Sequence, residues 1–195
     1  MGMIRLKILD YKGDSVWANV FIDEGSDSTL MSQGFVNVLK IAGVRQILTV
    51  DVAGSVVNPC PSQRVDFQIS TDSVEILNLA CSSLPTVASA TPVTDRSTLK
   101  RHWAHQFDPV KETGGRVDIL INTEHSHLLV PFESRVEKDY KPTAIRSRLG
   151  WVIRGVIQDG ATITAIRVHK VTSKTQLEEL TGELRRFCDT LWTRI

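Results

Sequence analysis

Long apolar runs are missing. No stretch approaches the ~18–20 residues that a helix needs to cross a bilayer, and the first residues lack the apolar core of a secretion signal. The opening "MGMIRL" has Leu6 where N-terminal acylation wants Ser or Thr. Cysteine is scarce: Cys60, Cys81 and Cys188 are an odd set without C-x-x-C spacing, which argues against a disulfide framework. Net charge is nearly absent at +1 over 195 residues, so no global field draws the chain to nucleic acid or anionic membrane. No repeat of solenoid period occurs. These absences leave a cytoplasmic globular protein as the expectation, one domain plus an appendage.

What is present is β-rich, within a 42% hydrophobic composition. "IRLKILD" (4–10) and "SVWANVFID" (15–23) flank the turn "YKGD" and read as a hairpin. Leu30, Gly34, Phe35, Val38 and Leu39 then share a helical face, with Ser28 or Thr29 as cap and Gly43 as stop. Strand character returns in 45–54, 64–70 and 74–84, with Pro59 and Pro61 expected to limit strand extension. Residues 82–116 read as an insertion-like irregular loop. "RVDILI" (116–121) is a strand buried on both faces, and a short helix enters at Thr123 and Glu124 and ends at Pro131. Late strands are expected at 143–155 and 161–170. Leu177, Leu180, Leu184, Phe187 and Leu191 then make an amphipathic C-terminal helix. The division is a domain at 1–170 and a helix or linker at 171–195.

One segment carries chemistry. In "NVFIDEGSDSTLMS" (19–32) an apolar strand ends at Asp23, with Gly25 two residues on and hydroxyls following. Asp-x-Gly alone is a weak signal, more often a turn than a catalyst. The pattern also suits an aspartic peptidase: two such carboxylates about 3 Å apart cannot both ionise, so they share a proton. A chain with one such motif needs a homodimer to supply the second.

The surroundings resemble the retropepsin-like aspartic peptidase domain of Pao/BEL-type LTR retrotransposon polyproteins. "FIDEGSDSTLMS" is similar to the family's Asp-Ser-Gly-Ser segment, and "VDVAGS" (50–55) stands where the flap hairpin belongs. "GGRVDILINTEHSHLLVP" (114–131) resembles its second conserved element, "TAIRSRLGWVIRG" its Gly-Trp ending, and "ELRRFCDTLW" its linker toward reverse transcriptase. The resemblance runs in consistent order over roughly residues 5–192. It implies a mainly β, closed retropepsin-like barrel with short helices. It also implies a homodimer that cleaves an extended polypeptide, the retroelement polyprotein, without a metal or other cofactor. Asp23 would be catalytic, within an active-site loop of Glu24, Gly25, Ser26 and Asp27, the last binding substrate backbone. Val52, Ala53, Gly54 and Ser55 would form the flap, and Ile121, Asn122 and Thr123 the second loop.

Three positions depart from that pattern. Glu24 replaces a Ser or Thr whose hydroxyls interlock beneath the dyad. Two such glutamates would crowd four carboxylates, each like-charge pair at ~6 Å costing about 3 kcal/mol at an effective dielectric of ~20. Protonation, outward rotation or failed assembly must follow. Asn122 replaces a glycine, where tolerance of a left-handed turn is useful. Thr123 stands where other retropepsins have an Arg that pairs the Asp27 equivalent, leaving Arg146 or Arg148 as partner. Two other readings stay open: a binding or dimerisation module with weakened or lost chemistry, and a metal-binding structural β domain using His102, His105, Glu124, His125 and His127.

Overall fold

The computed structural model describes residues 2–52, 55–71, 73, 75–88, 91–94, 113–136 and 143–154. Within them the protein is mainly β. Strands β1 (Gly2–Leu9) and β2 (Ser15–Ile22) form the expected hairpin, from Gly2↔Ile22 to Leu9↔Ser15. Asp10 closes its turn by accepting from the amides of Lys12 (2.8 Å) and Asp14 (2.9 Å), while Gly13 takes φ 87°.

The next element differs from expectation. Leu30 belongs to a short strand, β3 (Leu30–Ser32), and helix α1 (Gln33–Leu39) begins only after it. The cap is therefore Ser32, whose Oγ accepts from Phe35 N at 3.2 Å, and neither Ser28 nor Thr29. Phe35, Val36 and Leu39 are buried, whereas Val38 is exposed. Gly34 seats a guanidinium: a Cβ there would lie 2.9 Å from Arg116. The helix stops at Lys40, which adopts the left-handed conformation (φ 54°), three residues before Gly43. Ser32→Ala should cost about 1 kcal/mol, read as a lower urea midpoint at unchanged slope.

Strand β4 (Gly43–Val52) pairs with β5 (Ser55–Ser70), which runs through both prolines. Pairing shifts from Leu48↔Cys60 to Val50↔Val57, so β5 carries an extra residue and Pro59 falls in the bulge. Pro61 pairs only with Ile47 of β4. The prolines mark a bulged stretch with one neighbour, so they do not shorten the strand.

Strand β6 (Ile76–Leu84) pairs with β5 and runs three residues into the segment expected to be irregular. Strand pairing also occurs within that segment, where β7 (Thr91–Thr94) pairs with β8 (Thr113–Gly115). Strand β9 (Ile119–Ile121) inserts parallel to β2 and antiparallel to β3. The sheet order is β1-β2-β9-β3-β6-β5-β4, and pairing of β1 with β5 closes a ring of strands.

Both faces of the central strands are buried. Val20, Ile22, Met31, Ile119 and Ile121 enter one apolar cluster, while Phe21, Leu30 and Leu120 enter another with Leu48 and Val50 of β4. This explains the unbroken apolar triplets that feed directly into Asp23 and Asn122. A 3-10 turn (Thr123–His125) and helix α2 (Ser126–Leu129) follow β9, as expected.

A three-stranded sheet completes the fold: β10 (Glu133–Val136), β11 (Thr143–Ser147) and β12 (Gly150–Arg154). Residues 143–154 are thus a hairpin where one strand was expected, turning at Arg148 and Leu149 before Gly150 at φ 113°. Strand β12 meets β1 so closely that a Cβ on Gly2 would lie 2.2 Å from Val152 Cγ1 and 2.9 Å from the Ile153 carbonyl oxygen. The strand expected at 161–170 and the helix at 171–195 lie outside the described residues.

Candidate functional site

Asp23 follows the last residue of β2, and its amide donates to the Ile121 carbonyl at 3.0 Å. The strand end therefore abuts the end of β9, and the two expected loops are neighbours. The Asp23 side chain is 0% exposed. Oδ1 accepts from Gly25 N at 3.0 Å, but Oδ2 is buried without a partner among the described residues. Burial pushes this carboxyl above its ordinary range, more than the Gly25 amide holds it down; the neighbouring Glu24 charge also raises it.

Hydroxyl and amide groups brace the loop. Thr29 Oγ1 donates to Asn122 Oδ1 at 2.7 Å, and Glu124 N donates to the same oxygen at 3.1 Å. Thr123 Oγ1 reaches back to the Ser26 carbonyl at 3.1 Å. Ser26 Oγ donates to the Ser28 carbonyl (3.2 Å), and Thr29 N donates to Glu124 Oε2 (3.3 Å). Arg64 of β5 holds the other Glu124 oxygen at 3.3 Å. Asn122 is wholly buried and extended (φ −123°, ψ −167°). No left-handed turn is needed there, so the asparagine acts as an acceptor and not as a glycine substitute.

Glu24 turns away from Asp23. Its half-exposed carboxylate accepts two hydrogen bonds from Arg154, at 2.7 and 3.3 Å. The Arg154 guanidinium holds the Glu24 carboxyl below its ordinary range. Of the accommodations expected for this residue, protonation is opposed by the lowered pKa, and within the single chain the carboxylate is taken up by Arg154. Asp27 is exposed and accepts from Ser28 Oγ at 3.2 Å. Arg146 and Arg148 pair instead with Glu133 (3.6 Å) and Glu75, so neither is its partner. Arg146 is the register partner of Glu133 across β10 and β11, and Arg148 reaches Glu75 from the turn after β11.

Val52 and Ser55 are Cα partners at the tip of the β4–β5 hairpin. Ala53 and Gly54, expected at the flap, lie outside the described residues, as do His102 and His105. His125 and His127 make an edge-to-face pair with centroids 6.3 Å apart, and the described residues contain no group of three or more acids, histidines and cysteines arranged around a metal position. Cys81 is buried, which drives its thiol pKa far upward, and Cys60 is partly buried. Among the described residues no helix is long and apolar enough to cross a membrane.

Sequence reasoning missed four contributors: Thr29 as a brace, Glu124 as its second anchor, Arg154 as partner of Glu24, and Asp118. The Asp118 carboxylate accepts from Asn19 N at 2.9 Å and its carbonyl from Ser32 N at 2.8 Å, locking β9 between β2 and β3. Burial raises its pKa. A signal for Thr29 was its place in the hydroxyl run after Gly25; nothing in local sequence signals Arg154. No family model matches the chain, and no curated protein matches it significantly.

Proposed function

We propose that the protein is a retropepsin-like aspartic endopeptidase of the retrotransposon type, assembled as a homodimer with one Asp23 from each chain. The observation that carries this reading is the Asp23 carboxylate, buried at a strand end with one oxygen unpartnered and its pKa raised. A free carboxylate oxygen in a dry site is what a shared proton and an activated water require. In the dimer one aspartate takes the proton of the attacking water, and its mate donates to the scissile carbonyl. The substrate is an extended polypeptide bound by strand addition. The bracing of both loops supplies the fixed geometry that such chemistry needs. Purified protein should cleave extended peptides with a specific rate that rises with chain concentration and is abolished by a statine-type inhibitor. Cleavage by protein that is monomeric at the assay concentration would rule out the shared site.

A second reading keeps the fold without the chemistry. It is favoured by the complete enclosure of Asp23 in the single chain, together with the Glu24–Arg154 pair at its side. Activity gained by Glu24→Thr over an inactive parent would select it.

A further inference from the structure

We infer that Arg154 is a positioning residue that biases the charge state of Asp23 through Glu24. This deepens the peptidase reading and rests on it for its functional meaning, though the charge coupling itself does not. Glu24 is covalently next to Asp23, and its carboxylate is gripped by both terminal nitrogens of Arg154. Arg154 is not a free surface arm. Its side chain is 22% exposed, and its strand is pressed against β1 where only a glycine at position 2 leaves room. The last strand of the small sheet thus reaches across 130 residues of sequence to hold the active-site turn.

The pair does two things. It draws the Glu24 carboxylate outward, leaving Asp23 as the enclosed acid of the turn. It also offsets part of the one negative charge adjacent in sequence to Asp23, which favours the protonated form. Other charges acting on the turn are Asp27 within it, Glu124 after β9, Arg64 on β5 and the chain's α-amino group, which pulls the Asp23 and Glu24 carboxyls down. Glu124 and Arg64 pair with each other. Arg154 is the cation that the described residues direct to Glu24.

The test is the titration of the Asp23 side-chain carboxyl, followed by carbon-detected NMR in the full chain. Arg154→Met should move its midpoint upward, and Glu24→Gln should move it downward. Arg154→Lys should restore much of the parent value, because a cation suffices to neutralise though it cannot grip bidentately. In a Glu24→Gln background the effect of Arg154→Met should shrink. An Arg154→Met shift of equal size in both backgrounds, or no shift in any variant, would overturn the coupling. If Arg154→Met does not fold, Glu24→Gln still decides the matter: a midpoint unchanged or raised relative to the parent would overturn the coupling. Peptide cleavage by the parent is scored separately. Its absence would remove the peptidase reading and leave the titration result standing.

Discussion

Asp23→Asn should abolish peptide cleavage and at the same time make the protein more stable at neutral pH. On the proposed mechanism the loss of activity follows from removing the general base, worth at least ~10²-fold by the usual size of general-base catalysis. The gain in stability follows from the same burial that suits the residue to the task. Its carboxyl is raised above the ordinary 3.8, mainly by desolvation. A raised folded-state value means that the native state binds the proton more tightly than the unfolded chain. Stability is then highest while the group is protonated, and it falls as pH climbs from about the unfolded value through the folded one. Asparagine keeps the acceptor facing Gly25 and carries no charge to desolvate. The expected gain is about 1 kcal/mol, the size that single stabilising substitutions commonly give. Urea midpoints at pH 7 and pH 3 check it: the variant should lead clearly at pH 7, with the difference closing at pH 3. A variant less stable than its parent at both values would mean that Asp23 is an ordinary structural acid.

Asn122→Ala should be the most damaging polar substitution near the site. Its side-chain oxygen takes two donors, the buried Thr29 hydroxyl and the Glu124 amide. Truncation leaves both without an acceptor, and each orphan costs ~1–3 kcal/mol. We expect a loss of about 3 kcal/mol. The same change releases the Asp23 loop from the second loop, and a displacement near 1 Å is enough to cost ~10²-fold in rate. A core truncation separates the two effects. Ile8→Ala, in a fully buried position of β1, should cost ~2–5 kcal/mol with little change in activity per folded molecule. Equal activity losses in both variants would show that Asn122 serves stability alone.

The comparison of Thr29 with Ser32 shows where local reasoning fails. Both are small hydroxyl residues before a helix, and capping chemistry accepts either. The choice was made by β9, which pairs with Leu30 and Met31 and keeps them in a strand, so the helix starts one turn later than its apolar spacing suggests. Thr29 was then free to face Asn122, 93 residues away. The prolines of β5 were misleading for a related reason: whether a proline ends a strand depends on which side of it has a neighbour, and that is a property of the sheet. Arg154 and Glu24 are further apart still, and no periodicity links them.

The sequence by itself determined the β-rich character, the first hairpin and the buried triplet before Asn122. It also determined the placement of Asp23 at a strand end followed by glycine. Those are consequences of alternation, apolar runs and turn residues, all of which act over a few neighbouring positions. Only the tertiary structure decided that Asp23 is wholly enclosed with one oxygen unpartnered, that Asn122 is an extended brace, and that Glu24 points outward onto Arg154. Burial and ion pairing depend on which distant segments arrive at the same place, and closure of the strand ring brings them there.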